Sequence, residues 1–278
     1  MIRIVTDSSA DIPDELLDRH RIEVVPLTIR FGSDEFVDRR DLDSHRFWEK
    51  LVAGPALPET AAPSAGAFLD TYRRMAAEGA EGVVAVCISS DMSATYQSAV
   101  IAAEQVAGDV AVRVVDSRAV SMMLGLQVLA AAEGAETGAT LDEVASRAVT
   151  AGSNTGLFAT LDTLEFLRRG GRIGGAQALI GGLLDVKPLI TIADGVVQAA
   201  GRVRTRSRAL AALTAEVARR APRIRALAVL HGATTDLDRF EALVREAAPG
   251  VDPIVAELGA VVGTHAGPGV AGVAYRLS

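Results

Sequence analysis

The side chains of this chain best suited to chemistry are hydroxyls, one histidine and a set of arginines, all at the ends of apolar runs or beside glycines. The run Val83-Val84-Ala85-Val86-Cys87-Ile88 stops at Ser89 and continues as Ser90-Asp91-Met92-Ser93-Ala94-Thr95-Tyr96-Gln97-Ser98-Ala99. An apolar stretch too short for a free helix, followed by small and apolar residues at helical spacing, predicts a buried strand, a loop and a helix start. With Ser93 or a neighbour as N-cap, the hydroxyls and the first backbone N–H groups converge where a helix favours an anion, so an acid group could be held without a lysine. A capped helix start with no ligand is the competing reading. Thr60 lies in the segment 54–64, where Pro55, Pro58 and Pro63 exclude regular helix and central strand. Such a stiffened loop can hold a hydroxyl toward a cleft at little ordering cost. His265 stands in Gly263-Thr264-His265-Ala266-Gly267-Pro268-Gly269, read as a loop that permits close backbone approach.

The arginines fall in two places. Arg172 leaves the Gly170-Gly171 turn, after Arg168 and Arg169 at the favourable C-terminal end of a short helix. Arg202, Arg204, Arg206 and Arg208 alternate with Val203, Thr205 and Ser207, which on an extended segment puts them on one face. They form either a local cationic patch or a solvated edge that guards against strand pairing. No phosphate-binding loop, no Gly-x-Gly-x-x-Gly after a strand and no Gly-x-Ser-x-Gly elbow is present, and His20, His45, His231 and His265 show no metal-ligand spacing. Neither a cofactor nor a metal is expected. A hydrolase or transferase acting on a small carboxylate or phosphate, with Ser93 as nucleophile and His265 as base, is the enzymatic alternative. It lacks an orienting acid at recognisable spacing.

The elements that must position these residues alternate strand and helix with short connections, which predicts an α/β fold with an N-terminal doubly wound, mainly parallel sheet. Polar residues follow three strands: Asp7-Ser8-Ser9, Ser89-Ser90 and Asp116-Ser117. In an open sheet, ligands collect outside carboxyl strand ends, although the same residues can merely hold turns. A continuous strand is predicted over Ile22–Ile29, and a strand pair over Lys187–Ile192 and Val196–Ala200, turning at Asp194-Gly195. The change of texture at Gly152-Ser153-Asn154-Thr155-Gly156 divides the chain into an N-terminal α/β domain, 1–153, and a C-terminal α/β domain, 154–278. The segment near 54–78 is a candidate to pack with the second domain.

At 278 residues and 49% hydrophobic content the chain can bury one large core or two ordinary ones. A formal charge of −7 argues against a polyanion-binding surface, so nucleic acid is not an expected partner. Met1 leads directly into the strand-like Ile2–Thr6, and no uninterrupted apolar run reaches membrane length. A cytoplasmic protein with no integral membrane segment is expected. The single cysteine, Cys87, falls inside an apolar strand as an inert buried thiol.

Taken together, Thr6-Asp7-Ser8-Ser9-Ala10-Asp11, Thr60-Ala61-Ala62-Pro63-Ser64, Ile88 through Ala99, Val115-Asp116-Ser117-Arg118, Leu164 through Gly174 and Gly263 through Gly269 resemble the DegV family, which includes the FakB-like fatty-acid-binding subunits of bacterial fatty acid kinases. The resemblance runs nearly end to end. It implies two α/β domains with a long-chain, palmitate-like fatty acid buried between them. It further implies that the hydroxyls of Thr60 and Ser93 hold the carboxylate, with the Ala94 backbone N–H and His265 beside them. No catalysis by this chain itself is implied, since a separate fatty acid kinase subunit phosphorylates the bound acid. Arg172, Arg202, Arg204 and Arg206 are then candidates to frame the mouth and meet phosphate or partner. Three positions depart from the family pattern: Ala94 stands where glycine is usual, and Ala61-Ala62 replaces Ser-Gln. The pocket wall is expected from scattered residues such as Phe158, Leu183, Leu184 and Ile190.

Overall fold

A computed structural model describes residues 1–54, 57–180 and 186–278; Pro55, Leu183 and Leu184 lie outside the described residues. The N-terminal half runs β1 (Ile2–Asp7), α1 (Asp14–His20), β2 (Ile22–Val25), β3 (Thr28–Phe31), β4 (Asp34–Val37), α2 (Ser44–Ala53), β5 (Glu59–Ala61), α3 (Ala65–Ala77), β6 (Gly82–Cys87), α4 (Thr95–Gln105), β7 (Val112–Asp116), α5 (Met122–Glu136) and α6 (Leu141–Ser153). Its main sheet has the order β2-β1-β6-β7, every pair parallel. β6 is buried along its whole length, which is why it reads as an unbroken apolar run with no alternation.

The predicted strand 22–29 is two strands. Pro26 lacks the N–H that a ladder needs, so β2 ends at Val25 and β3 departs at Thr28 into a small antiparallel sheet, β4-β3-β5. That departure has a consequence for the site, because β5 pairs Thr60 with Ile29 and so anchors the proline-rich segment. α3 is capped by Ser64, whose hydroxyl accepts from the Ala67 N–H, and packs Phe68, Tyr72 and Met75 on one face of the parallel sheet.

The C-terminal half runs β8 (Thr155–Thr160), α7 (Glu165–Arg169), a 3₁₀ turn over Gly174–Leu179, β9 (Lys187–Ala193), β10 (Val196–Val203), α8 (Arg206–Arg220), β11 (Ile224–Gly232), α9 (Leu237–Ala247), β12 (Ile254–Glu257), α10 (Ala260–Ala266) and β13 (Val270–Leu277). Its sheet has the order β10-β9-β8-β13-β11-β12, antiparallel throughout except β11 with β12. The hairpin β9–β10 turns at Asp194-Gly195, where Gly195 takes φ 78°.

α5 lies between the two sheets. Its sequence Met-Met-Leu-Gly-Leu-Gln-Val-Leu-Ala-Ala-Ala is apolar nearly all round, and every residue from Met122 to Ala132 is buried. A helix with no polar face belongs inside, and α5 joins Ile4 and Val84 of one sheet to Leu157, Ile190 and Leu230 of the other in a single core. Among the described residues no helix is long and apolar enough to cross a membrane.

Candidate functional site

A cavity of about 210 Å³ opens between the two halves. Its wall is apolar: Ile88 and Val120 come from the N-terminal half, Leu157, Ala159 and Ile190 from β8 and β9, and Val261 from α10. Strand alternation decides which residues of β8 take part. Leu157 and Ala159 face the cavity, whereas Phe158, expected in the wall, points to the opposite face and packs with Leu210 and Leu213 of α8. Ile190 lines the cavity as expected.

Polar groups gather at one end. Thr60, Ser93, Ala94, Arg172 and His265 all line the same cavity, although they come from β5, the β6–α4 loop, the turn after α7, and α10. Thr60 Oγ1 and His265 Nε2 are 3.0 Å apart. Burial, with the Arg172 guanidinium as a lesser cause, pushes His265 down to about 4, so its ring is neutral at ordinary pH. His265 Nδ1 is buried without a hydrogen-bond partner among the described residues. It packs on Gly170, where a Cβ would come within 2.1 Å of it. An orphaned buried N–H is rarer than an orphaned acceptor, so the proton belongs on Nε2 and is donated to Thr60 Oγ1. The Thr60 hydroxyl hydrogen is then free to donate elsewhere.

His265 was expected in a loop and is in a helix. Its glycines serve packing and termination: Gly263 lies under Phe47 and Trp48, where a Cβ would come within 2.4 Å, and Gly267, at φ 75°, ends α10. Of Ser93 and its neighbours, expected to supply the N-cap of α4, the cap residue is Ala94, which makes no side-chain cap bond. Met92 N–H and Ser93 N–H both donate to the Ser89 carbonyl, at 2.9 and 3.1 Å, and this turn delays the helix. The Ser93 hydroxyl instead lies 2.8 Å from Thr95 Oγ1 and accepts from the Thr95 N–H at 3.3 Å. Ala94 has φ −73° and ψ 0°, a conformation any residue adopts, so alanine in place of the family glycine strains nothing.

The arginines separate. Arg172 reaches across the mouth, its Nε donating to the Met92 carbonyl at 3.1 Å and a terminal nitrogen to the Gly170 carbonyl at 2.7 Å. The alternation of the other three ends at Val203, because Thr205 caps α8 and Arg206 is its first residue. Only Arg202 therefore lies on the strand; Arg204 is in the bend after it and Arg206 in the helix, and the three share no strand face. It forms a bidentate pair with Asp236, both bonds 2.9 Å, and also donates to Thr234 Oγ1 and the Gly269 carbonyl. That pairing, led by the Arg206 hydrogen bonds, pulls Asp236 down to about 2. Arg202 and Arg204 are exposed and lie outside the cavity lining.

Of the polar strand ends, those of β1 and β7 hold turns. Asp7 accepts from Ser9 N–H at 3.0 Å, Ser9 Oγ at 2.5 Å and Ile88 N–H at 2.8 Å, stapling the end of β1 to that of β6, while burial raises its carboxyl. Ser8 Oγ accepts from Leu27 N–H, and Asp116 holds Ser90 and the Arg118 N–H. Sequence reasoning missed the contacts that close the halves on each other. Ser89 Oγ donates to the Gly195 carbonyl at 2.6 Å, Arg118 donates to the Asp194 carbonyl, and Trp48 Nε1 donates to the Leu258 carbonyl at 3.0 Å. Only the position of Ser89 at a strand end hinted at this.

The arrangement offers neutral donors and one rim guanidinium around an apolar cavity. Among the described residues a Ser93–His265 dyad is not assembled, since His265 is engaged with Thr60 and no acid orients its Nδ1. Among the described residues no three His, Cys, Asp or Glu side chains converge as metal ligands.

Comparisons with known proteins agree on one group. A family model described as "Uncharacterised protein, DegV family" matches residues 1–277. A DegV domain-containing protein of Streptomyces coelicolor is 41% identical over 277 residues, covering 98% of this chain and 97% of its own. A DegV family protein from Thermus thermophilus, described for its fatty acid binding, superposes with a TM-score of 0.91 at 36% identity, over 100% of this chain and 99% of that one. A stearic-acid-binding protein from Eubacterium ventriosum superposes with a TM-score of 0.92 at 26% identity, over 99% and 98% of the two chains.

Proposed function

The chain belongs to the DegV family, and from that premise we propose that it binds a long-chain, palmitate-like fatty acid in the cavity between its two halves, as a cytoplasmic carrier and not as an enzyme. The carrying observation is the convergence of Thr60, Ser93 and His265, three neutral polar side chains from distant elements, at one end of an otherwise apolar cavity. On this reading Thr60 Oγ–H, Ser93 Oγ–H and the Ala94 N–H donate to the carboxylate, and His265 fixes the direction of the Thr60 donor. The hydrocarbon tail lies along Leu157, Ala159, Ile190 and Val261. A cavity with a few placed donors and an apolar wall is the usual form of such a site. The two domains are 1–153 and 154–278, with β5 bringing part of the 54–78 segment to the second.

A finer reading follows from the rim. Arg172 lies beside the head-group donors, and among the described residues exposed Arg202 and Arg204 carry no pairing role of the kind Arg206 has. We infer that the bound acid is presented at this mouth to a fatty acid kinase subunit, Arg172 offsetting the charge of the acyl phosphate that forms. Ligand identity is tested by mass spectrometry of material extracted from the purified protein. A fatty acid at near-stoichiometric amount supports the carrier reading, and a polar metabolite or nothing at all in a preparation that also fails to take up palmitate sinks it.

A further inference from the structure

α10, which carries His265, begins on groups contributed by the other half of the molecule. The Gly259 N–H donates to Asp11 Oδ1 at 2.9 Å, and the other oxygen of Asp11 takes the Ser121 hydroxyl at 2.6 Å. Asp38 faces the same point. A Cβ built on Gly259 would lie 3.2 Å from Asp11 Oδ1 and 4.0 Å from Asp38 Oδ2. Both carboxyls are buried, Asp11 4% exposed and Asp38 2%, and Asp38 Oδ2 has no hydrogen-bond partner among the described residues. Ser121 on one side and Val261 and His265 on the other line the cavity, so the two acids stand directly behind its wall.

Two carboxylates in one buried place cannot both ionise cheaply. The cation facing them is Arg39, which is already committed to the Ile12 carbonyl and to the exposed Asp14. Burial is the largest cause in each case, raising Asp11 to about 7 and Asp38 to about 6, with the repulsion of Asp38 adding to Asp11. Hydrogen bonds from Ser121 and Gly259 to Asp11, and from Ser8 to Asp38, oppose the shift without cancelling it.

We propose that Asp11 and Asp38 are positioning residues for the head-group site: while the pair carries at most one negative charge it holds the start of α10, and so His265, against the N-terminal half, and a second charge loosens that contact. The sign follows from linkage. A carboxyl raised in the closed form keeps a proton that the opened form releases, so closure weakens as pH rises from the ordinary carboxyl value, near 4, to the raised one, by up to about tenfold per pH unit for each group. His265 itself, at about 4, does not titrate over most of that interval.

The inference rests on the fatty-acid reading for one readout and is independent of it for the other. Delipidated protein is compared with Asp38→Asn and Asp11→Asn from pH 5 to pH 7.5. Without ligand, the imidazole NMR signals of His265 are expected to move across this range in the wild type and to move less in Asp38→Asn, where Asp11 alone titrates. With palmitate as probe, the wild-type dissociation constant is expected to rise at least tenfold, and that of Asp38→Asn by a factor up to about ten smaller, because burial still raises Asp11 there. The carboxylate of palmitate titrates identically in both, so the difference reports the pair. Superposable His265 signals in wild type and Asp38→Asn across the range overturn the proposal, whether or not Asp11→Asn folds. Absence of palmitate binding at every pH, with the NMR contrast intact, rejects the fatty-acid reading and leaves the positioning role standing.

Discussion

Replacing Thr60 by valine keeps the branched shape and removes the hydroxyl, and the structure fixes what is lost. His265 Nδ1 has no partner among the described residues and lies against Gly170, so the ring carries its proton on Nε2 and donates to Thr60 Oγ1 over 3.0 Å. Thr60 then has one hydrogen left to give, on a side chain that lines the same cavity as Ser93 and Ala94. A hydrogen bond to a charged acceptor is worth about 1.5–3 kcal/mol, so Thr60→Val should weaken fatty-acid affinity by about ten- to a hundredfold. The His265 N–H loses its acceptor as well, at a cost of about 1–3 kcal/mol when no water replaces it, which should lower the unfolding midpoint of the ligand-free variant. Fluorescent fatty-acid displacement and denaturant unfolding on delipidated protein measure the two effects separately. A fall in stability with affinity unchanged within twofold would refute the donor direction, because it would mean that Thr60 serves His265 alone.

Gly170→Ala should displace the His265 ring, since the new methyl would sit 2.1 Å from Nδ1, and should lose affinity about as much as Thr60→Val; Gly171→Ala, at φ 70° with open space around it, should cost stability alone. Arg172→Ala should leave palmitate affinity within about threefold while raising the His265 pKa toward its ordinary value and slowing acyl phosphate formation with a cognate kinase, the rate effect shrinking at high salt. Normal turnover at two salt concentrations in both Arg172→Ala and Arg204→Ala would reduce these residues to surface charge. Arg206→Ala should instead destabilise the fold by about 1–2 kcal/mol near neutrality without touching ligand affinity. Because Asp236 is held at about 2, its contribution is present above its ordinary value and lost as pH falls through 2, so the variant should show a flatter acid-unfolding profile between pH 4 and 2.

The legible parts of the fold were those set by local rules. The apolar run of β6 and the Asp194-Gly195 turn follow from burial and turn chemistry within a few residues. The reading failed where a distant partner decides. Gly263 looks like loop punctuation until Phe47 and Trp48, over two hundred residues away in sequence, are seen to need the space, and the loop becomes a helix. Phe158 looks like pocket wall because hydrophobicity carries no sign for the two faces of a strand; the pairing of β8 with β9 and β13 fixes the sign. Arg206 looks like a fourth member of an alternating set until Asp236 claims it. At the site, the residue types were visible in the sequence, but the bond between Thr60 and His265 depends on Pro26 ending β2 and sending β3 out to pair with β5.

The division between apolar wall and neutral mouth sets how the head-group variants must be studied. Each buried methylene contributes about 0.8 kcal/mol, so a long acyl chain supplies on the order of 10 kcal/mol before association costs, several times what any one donor adds. Loss of a single hydroxyl therefore leaves a protein that still binds its ligand tightly during expression. An unstripped Thr60→Val preparation would carry as much fatty acid as the wild type, and occupancy would hide a hundredfold change in affinity. On the fatty-acid reading proposed above, the donors act instead on which end of the acid faces the mouth. A neutral His265 and neutral hydroxyls pay no ionic desolvation cost in holding a carboxylate there, and Arg172, exposed at the rim, keeps its hydration. Head-group substitutions should accordingly shift exchange and presentation more than occupancy, and only delipidated protein, titrated below saturation, can register them.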